Sequence, residues 1–173
     1  MRCRPLGKTG LEVSELALGT WGLSGDAYGP VSEAQAQGVI ARALTLGVTT
    51  FETADVYGGD GAMEATLAAH LPASAIVVTK IGTDRAASPP RKSLDPTFLR
   101  VSFEKCAERL KKKPVDVVLL HNPSMPTLDA GAATAFLREL KKRGLVRAWG
   151  VSAGTVAVAR EALHQGAEVL ELA

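Results

Sequence analysis

Four side chains of types that move or hold protons lie at or just beyond the ends of strand-like runs in this sequence. Glu52 follows Gly47-Val48-Thr49-Thr50-Phe51, a β-branched and aromatic stretch suited to a strand. Tyr57 stands five residues later, in Phe51-Glu52-Thr53-Ala54-Asp55-Val56-Tyr57-Gly58. Lys80 ends the apolar run from Ile76, and His121 ends the run from Val115. A tyrosine hydroxyl has an ordinary pKa of about 10, so it keeps its proton at neutral pH. It becomes a useful general acid only beside a cation that stabilises the phenolate left behind. Tyr57 and Lys80 come from adjacent strand ends, where such a pair can form. Taken singly, a strand-end lysine reads as a solvated charge, and His121 reads equally as a core histidine or a functional one. It is the set, in this order, that points to a site.

Positioning these residues requires strands that run parallel and end together. From residue 16 on, strand-like and helix-like segments alternate. Strands are expected at Leu16–Gly19, Val48–Glu52, Ile76–Lys80, Val115–His121, Leu145–Ser152 and Ala167–Leu172. The helix between the first two opens on a capping box, Ser32 with Gln35, and stops at Gly47. Further helices are expected at Ala62–Leu71, from Asp95-Pro96 to Lys111-Lys112-Lys113, at Ala132–Lys142 and from Thr155 to Leu163. Gly82–Ser93 reads as a polar, proline-containing loop, and the glycines of Leu6-Gly7-Lys8-Thr9-Gly10-Leu11 predict a tight turn between two short strands. Alternation of this kind predicts an α/β fold with a parallel sheet.

The Phe51–Gly58 stretch resembles the aldo-keto reductase signature F-D-T-A-x-x-Y-G. Four more segments match the family in order: Leu18-Gly19-Thr20-Trp21, Val77-Val78-Thr79-Lys80, Leu119-Leu120-His121-Asn122-Pro123 and Arg147-Ala148-Trp149-Gly150-Val151-Ser152. The resemblance implies a TIM-type (β/α)8 barrel closed at its floor by the N-terminal hairpin, with the catalytic groups at the C-terminal rim. It implies reduction of aldehydes or ketones with NADPH. Tyr57 would be the acid, with Lys80 tuning it and Glu52 anchoring the ammonium. His121 would orient a small carbonyl substrate, and Gly19, Thr20, Trp21 and Ser152 would lie near the cofactor. Two positions depart from the family. Glu52 stands where an aspartate is usual, which adds a methylene and is expected to displace the ammonium. Ala153 stands where an asparagine usually follows the serine. Asp55, two residues before Tyr57, is not the matching carboxylate.

The chain has 173 residues, whereas a (β/α)8 barrel typically takes about 250. The expectation is therefore one domain over residues 1–173, an incomplete barrel of about six parallel strands truncated at its C-terminus. Its open sheet edges are suited to pairing in a homo-oligomer. The competing reading is a catalytically inactive fragment or scaffold that self-assembles. At 46% hydrophobic and 22% charged the composition is that of a globular domain, and the net charge of +2 is too balanced to argue for nucleic acid. No apolar run approaches the roughly 20 residues of a membrane helix. The first residues carry no apolar signal core, and Cys3 and Cys106 have no metal or redox spacing, so a cytoplasmic protein with free thiols is expected. Cys106 falls on the apolar face of its helix and Trp149 within a strand, so both read as core. Trp21, in a loop, reads as a pocket wall, while Asp55 and Asp60 read as partners of loop backbone. The three histidines are scattered, which leaves no metal site, and no G-x-G-x-x-G follows a strand.

Overall fold

The computed structural model describes residues 1–172. An antiparallel hairpin, β1 (Cys3–Pro5) and β2 (Glu12–Ser14), precedes β3 (Leu18–Gly19). Then come α1 (Glu33–Thr45), β4 (Thr50–Glu52), α2 (Ala62–His70) and β5 (Ile76–Ile81). A two-residue ribbon, β6 (Thr83–Asp84) with β7 (Arg91–Lys92), occupies the segment expected to be plain loop. The rest of the chain is α3 (Pro96–Leu110), β8 (Val115–His121), α4 (Met125–Asp129), α5 (Ala132–Lys142), β9 (Val146–Ala153), α6 (Val156–His164) and β10 (Val169–Leu172). The short α4 is likewise not among the expected helices; five residues give no helical period to read. Strands 3, 4, 5, 8, 9 and 10 form one parallel sheet in the order β3-β4-β5-β8-β9-β10.

Local chemistry explains the helix starts. Ser32 and Gln35 close the capping box of α1 in both directions, Asp95 accepts from the Thr97 and Phe98 amides at the head of α3, and Thr155 caps α6. The continuous apolar strands have both faces covered, as a parallel sheet requires. Successive side chains of β5 and β8 point to opposite faces. Val77, Ile81, Val118 and Leu120 pack into the layer shared with the helices. Ile76, Val117, Leu119, Ala148 and Val169 form a second, interior cluster, with Val78 partly buried against it. Leu11, at the hairpin turn, is 1% exposed and belongs to that interior cluster. Ser14 ties the hairpin to the start of β4: its amide donates to the Thr50 hydroxyl at 3.0 Å, and its own hydroxyl accepts from the Thr49 amide at 3.0 Å. The hairpin therefore covers the N-terminal end of the strands.

Cys106 and Trp149 are core residues, at 0% and 3% exposure. Among the described residues no helix is long and apolar enough to cross a membrane, and no cluster of histidine, cysteine or carboxylate ligands has the geometry to hold a metal.

Gly150 sits on β9 opposite Val169, where a Cβ would overlap the Val169 carbonyl. Backbone offers little give at such a contact. Gly150→Ala is expected to destabilise the fold by about 2 kcal/mol or more, read as a lower midpoint in urea unfolding.

Candidate active site

The strand period builds the site. Ile76 and Val78 face the interior, so Lys80, two residues on, faces it too, and the same parity carries Val117 and Leu119 on to His121. By the same rule Ser152 follows Ala148 on β9, and Glu171 follows Val169 on β10. On β4, Phe51 packs into the helix-side core, which leaves Glu52 on the interior side, beside Gly19 of β3. Gly19, Glu52, Lys80, His121, Ser152 and Glu171 are thus the last inward positions of six neighbouring strands. All lie at the C-terminal end of the sheet.

Lys80 is the centre of this group. Its side chain is 2% exposed, and its ammonium contacts the Glu52 carboxylate. It also donates to the Thr53 carbonyl at 3.2 Å and lies 3.3 Å from both the Tyr57 hydroxyl and the Glu171 carboxylate. Burial lowers the Lys80 pKa, Glu171 opposes that shift, and the Lys92 ammonium adds to it. The expected displacement of the ammonium by the longer glutamate does not part it from Tyr57. Gly19 gives Glu52 room, since a Cβ at that position would stand 3.1 Å from its Oε2.

Burial, with the charges of Glu171 and Asp55, pushes the Tyr57 phenol up to about 12, so it is protonated across the neutral range. The His121 ring meets the Tyr57 ring edge-on, with centroids 6.4 Å apart. Burial, aided by the Lys92 and Lys80 ammonium groups, lowers His121 to about 3, so this imidazole is neutral at physiological pH. Its Nδ1 lies 3.4 Å from the Thr83 hydroxyl, which in turn accepts from Lys92 at 2.8 Å. Ser152 donates to the Asn122 side chain at 3.0 Å and approaches Glu171 at 3.2 Å.

The loop that carries Tyr57 is held from below. The Asp55 amide donates to the Lys80 carbonyl at 2.9 Å. The Asp55 carboxylate accepts from the Ser102 hydroxyl at 2.6 Å and the Gly82 amide at 3.2 Å. Burial, with a contribution from Glu64, pushes Asp55 up to about 6. Asp55 does serve backbone, as expected, but as a buried strut rather than a surface loop residue.

The remaining candidates are placed as follows. Thr20 is fully buried and its hydroxyl has no partner. Trp21 begins a 3-10 turn at the sheet rim, is 48% exposed and packs at a tilt on Tyr28. Sequence reasoning missed Thr83, Lys92, Asn122 and Glu171. Glu171 had a signal: a carboxylate at an inward position of a buried strand, in register with Ser152. Thr83 and Lys92 had none, because the ribbon holding them is set by tertiary pairing.

The sequence pattern of the aldo/keto reductase family matches residues 15–171. The chain is 35% identical to 6-dehydroglucose reductase of Agrobacterium fabrum over 154 residues, covering 82% of this chain and 50% of that relative. It superposes on a putative aldo-keto reductase from Pseudomonas aeruginosa with a TM-score of 0.82 at 31% identity, covering 95% of this chain and 64% of the other. The holo form of aldo-keto reductase AKR11C1 from Bacillus halodurans shares the fold with a TM-score of 0.87 at 24% identity, over 99% of this chain and 57% of that one. The chain spans about half the length of the curated relatives it matches.

The neutral state of His121 has a consequence for stability. Its folded pKa lies below the unfolded value, so between about pH 6.5 and 3 the unfolded chain binds a proton that the folded chain refuses. Stability is lost as pH falls through that window. Asp55 acts in the opposite sense: its contribution is present at low pH and lost as pH rises through about 6. Comparing wild type with His121→Gln cancels Asp55. Between pH 7 and 5 the wild type is expected to lose roughly 1–2 kcal/mol more than the variant, measured by urea unfolding at both pH values.

Proposed function

The chain belongs to the aldo/keto reductase family, and from that premise we propose that it carries the reaction centre of an NADPH-dependent oxidoreductase that reduces aldehydes or ketones to alcohols. The observation that carries this reading is the Tyr57 hydroxyl 3.3 Å from a buried ammonium, Lys80, that is itself held by Glu52. A phenol in that position can give up its proton because the charge left on its oxygen is met by the lysine. His121, neutral and edge-on to Tyr57, supplies an N–H to the substrate oxygen and fixes the carbonyl for proton transfer. The Glu52 contact stops the lysine from swinging out to solvent. The apolar layer below, built from Leu119 and Val169, keeps water from the underside of the site.

The described residues fit the nicotinamide end of the cofactor. The Ser152 hydroxyl and the Asn122 amide stand side by side at neighbouring strand ends, polar groups of the kind that hold a carboxamide. Trp21 offers a half-exposed indole at the rim. NADPH, when bound, supplies the hydride to the carbonyl carbon. The substrate in this reading is a small carbonyl compound.

A second reading, an inactive assembly unit, draws support from an apolar groove beside the β3 edge lined by Leu16, Leu18, Val39 and Leu46, of which Leu16 is 65% exposed. Light scattering together with an NADPH titration separates the two: the scaffold reading requires a stable oligomer with no cofactor binding.

Tyr57→Phe is expected to lower kcat for carbonyl reduction at least about 100-fold, the scale of a lost general acid. Quenching of tryptophan fluorescence by NADPH should remain saturable in the same variant. Turnover at the wild-type rate in Tyr57→Phe would remove Tyr57 from the acid role.

A further inference from the structure

Lys80 faces two carboxylates, not one. Glu52 reaches its ammonium from β4, and Glu171 reaches it at 3.3 Å from β10, the far side of the site. One ammonium between two carboxylates leaves a net negative charge in a partly desolvated space. The Tyr57 hydroxyl shares that space, also at 3.3 Å from Lys80 Nζ. The Glu171 carboxylate and the Tyr57 phenol therefore lie within about 7 Å of each other, close enough for a single charge to move an acidity by a pH unit or more. Among the described residues the other charged groups around Tyr57 are Glu52 beside the lysine, Asp55 below the loop, and the Asp26–Arg85 pair that bonds the Gly58 amide and the Val56 carbonyl, with Lys92 farther back behind the neutral His121. None of these gives Lys80 a second carboxylate. The Ser152 hydroxyl oxygen lies 3.2 Å from the Glu171 carboxylate.

We propose that Glu171 is a positioning residue that divides the Lys80 ammonium with Glu52 and so holds back the acidity of the Tyr57 phenol. It acts through Lys80 and through its own charge, and it touches neither reacting atom. In the undivided arrangement Lys80 would serve Tyr57 with its full charge less one carboxylate. With Glu171 present, the phenolate forms beside an excess of negative charge and is disfavoured. The burial-driven rise of the Tyr57 pKa, to which Glu171 adds the first electrostatic contribution, agrees with this geometry. Neutralising Glu171, whether by substitution or by a ligand group that takes up its carboxylate, releases the acid. The inference rests on Tyr57 serving as the acid, but its test does not require turnover.

The sequence holds two tyrosines, so Tyr28→Phe leaves Tyr57 as the single phenol. Phenolate absorbance is titrated with alkali in that background on the full chain, with circular dichroism followed in parallel. Glu171→Gln is expected to lower the Tyr57 midpoint by about one pH unit, while Glu171→Asp, which keeps the charge, stays close to the parent. An unmoved midpoint in Glu171→Gln overturns the proposal, and so does an equal shift in both variants, which would mark a packing effect. Should the chain unfold before Tyr57 titrates, the same variants are compared through the side-chain NMR signals of Lys80. There Glu171→Gln must lower the lysine titration and Glu171→Asp must not; identical lysine titrations overturn the proposal. A reductase reading that fails leaves these titrations in place, so the two failures are distinguishable.

Discussion

The structure depends on where the Lys80 ammonium is placed. A lysine head 2% exposed has lost most of its water, and an unpaired charge there would cost several kcal/mol. Its partners come from separate elements: Glu52 from β4, the Thr53 carbonyl and Tyr57 from the loop after it, and Glu171 from β10. They meet only because parallel strands end at one rim. The burial that makes the lysine hard to charge also makes its remaining interactions strong, since nothing screens them. The acid–base character of the site follows from this one placement.

Around the lysine the fold removes freedom. Tyr57 lies on a loop, yet Asp55 ties that loop to β5, to the turn at Gly82 and to Ser102 on α3. On the outer face, the fully buried Glu64 accepts from the Thr79 hydroxyl and the Arg109 guanidinium, joining α2, β5 and α3. Gly61, at the head of α2 with a φ of +78°, leaves the space that the Arg109 guanidinium fills. These contacts lie one side-chain layer behind the reactive groups. They fix the strand ends against each other, so the distances at the rim follow from packing rather than from the site residues themselves.

Glu52 shows how far local reasoning reaches. The sequence reveals a glutamate where the family pattern has an aspartate, and bond lengths alone say that the lysine should move. They do not say that β3 places a glycine in register with Glu52, nor that the ammonium lies 3.3 Å from the Tyr57 hydroxyl. Asp55 makes a similar point. It was legible as a partner of backbone, but its burial and its bond to Ser102, 47 residues away, required α3 to be in position.

The sequence by itself determined the alternation of strands and helices, the caps at Ser32, Asp95 and Thr155, the burial of Cys106 and Trp149, and the identity of the residues gathered at the rim. These follow from period and cap chemistry, which act over a few residues, and from the order of short motifs along the chain. The ribbon that brings Thr83 and Lys92 behind His121 was decided only by the tertiary structure, as were the room that Gly19 leaves for Glu52 and the second carboxylate, Glu171, on Lys80. Each depends on the register and stagger between strands far apart in the chain, and register is a property of the assembled sheet, which no single stretch of sequence contains.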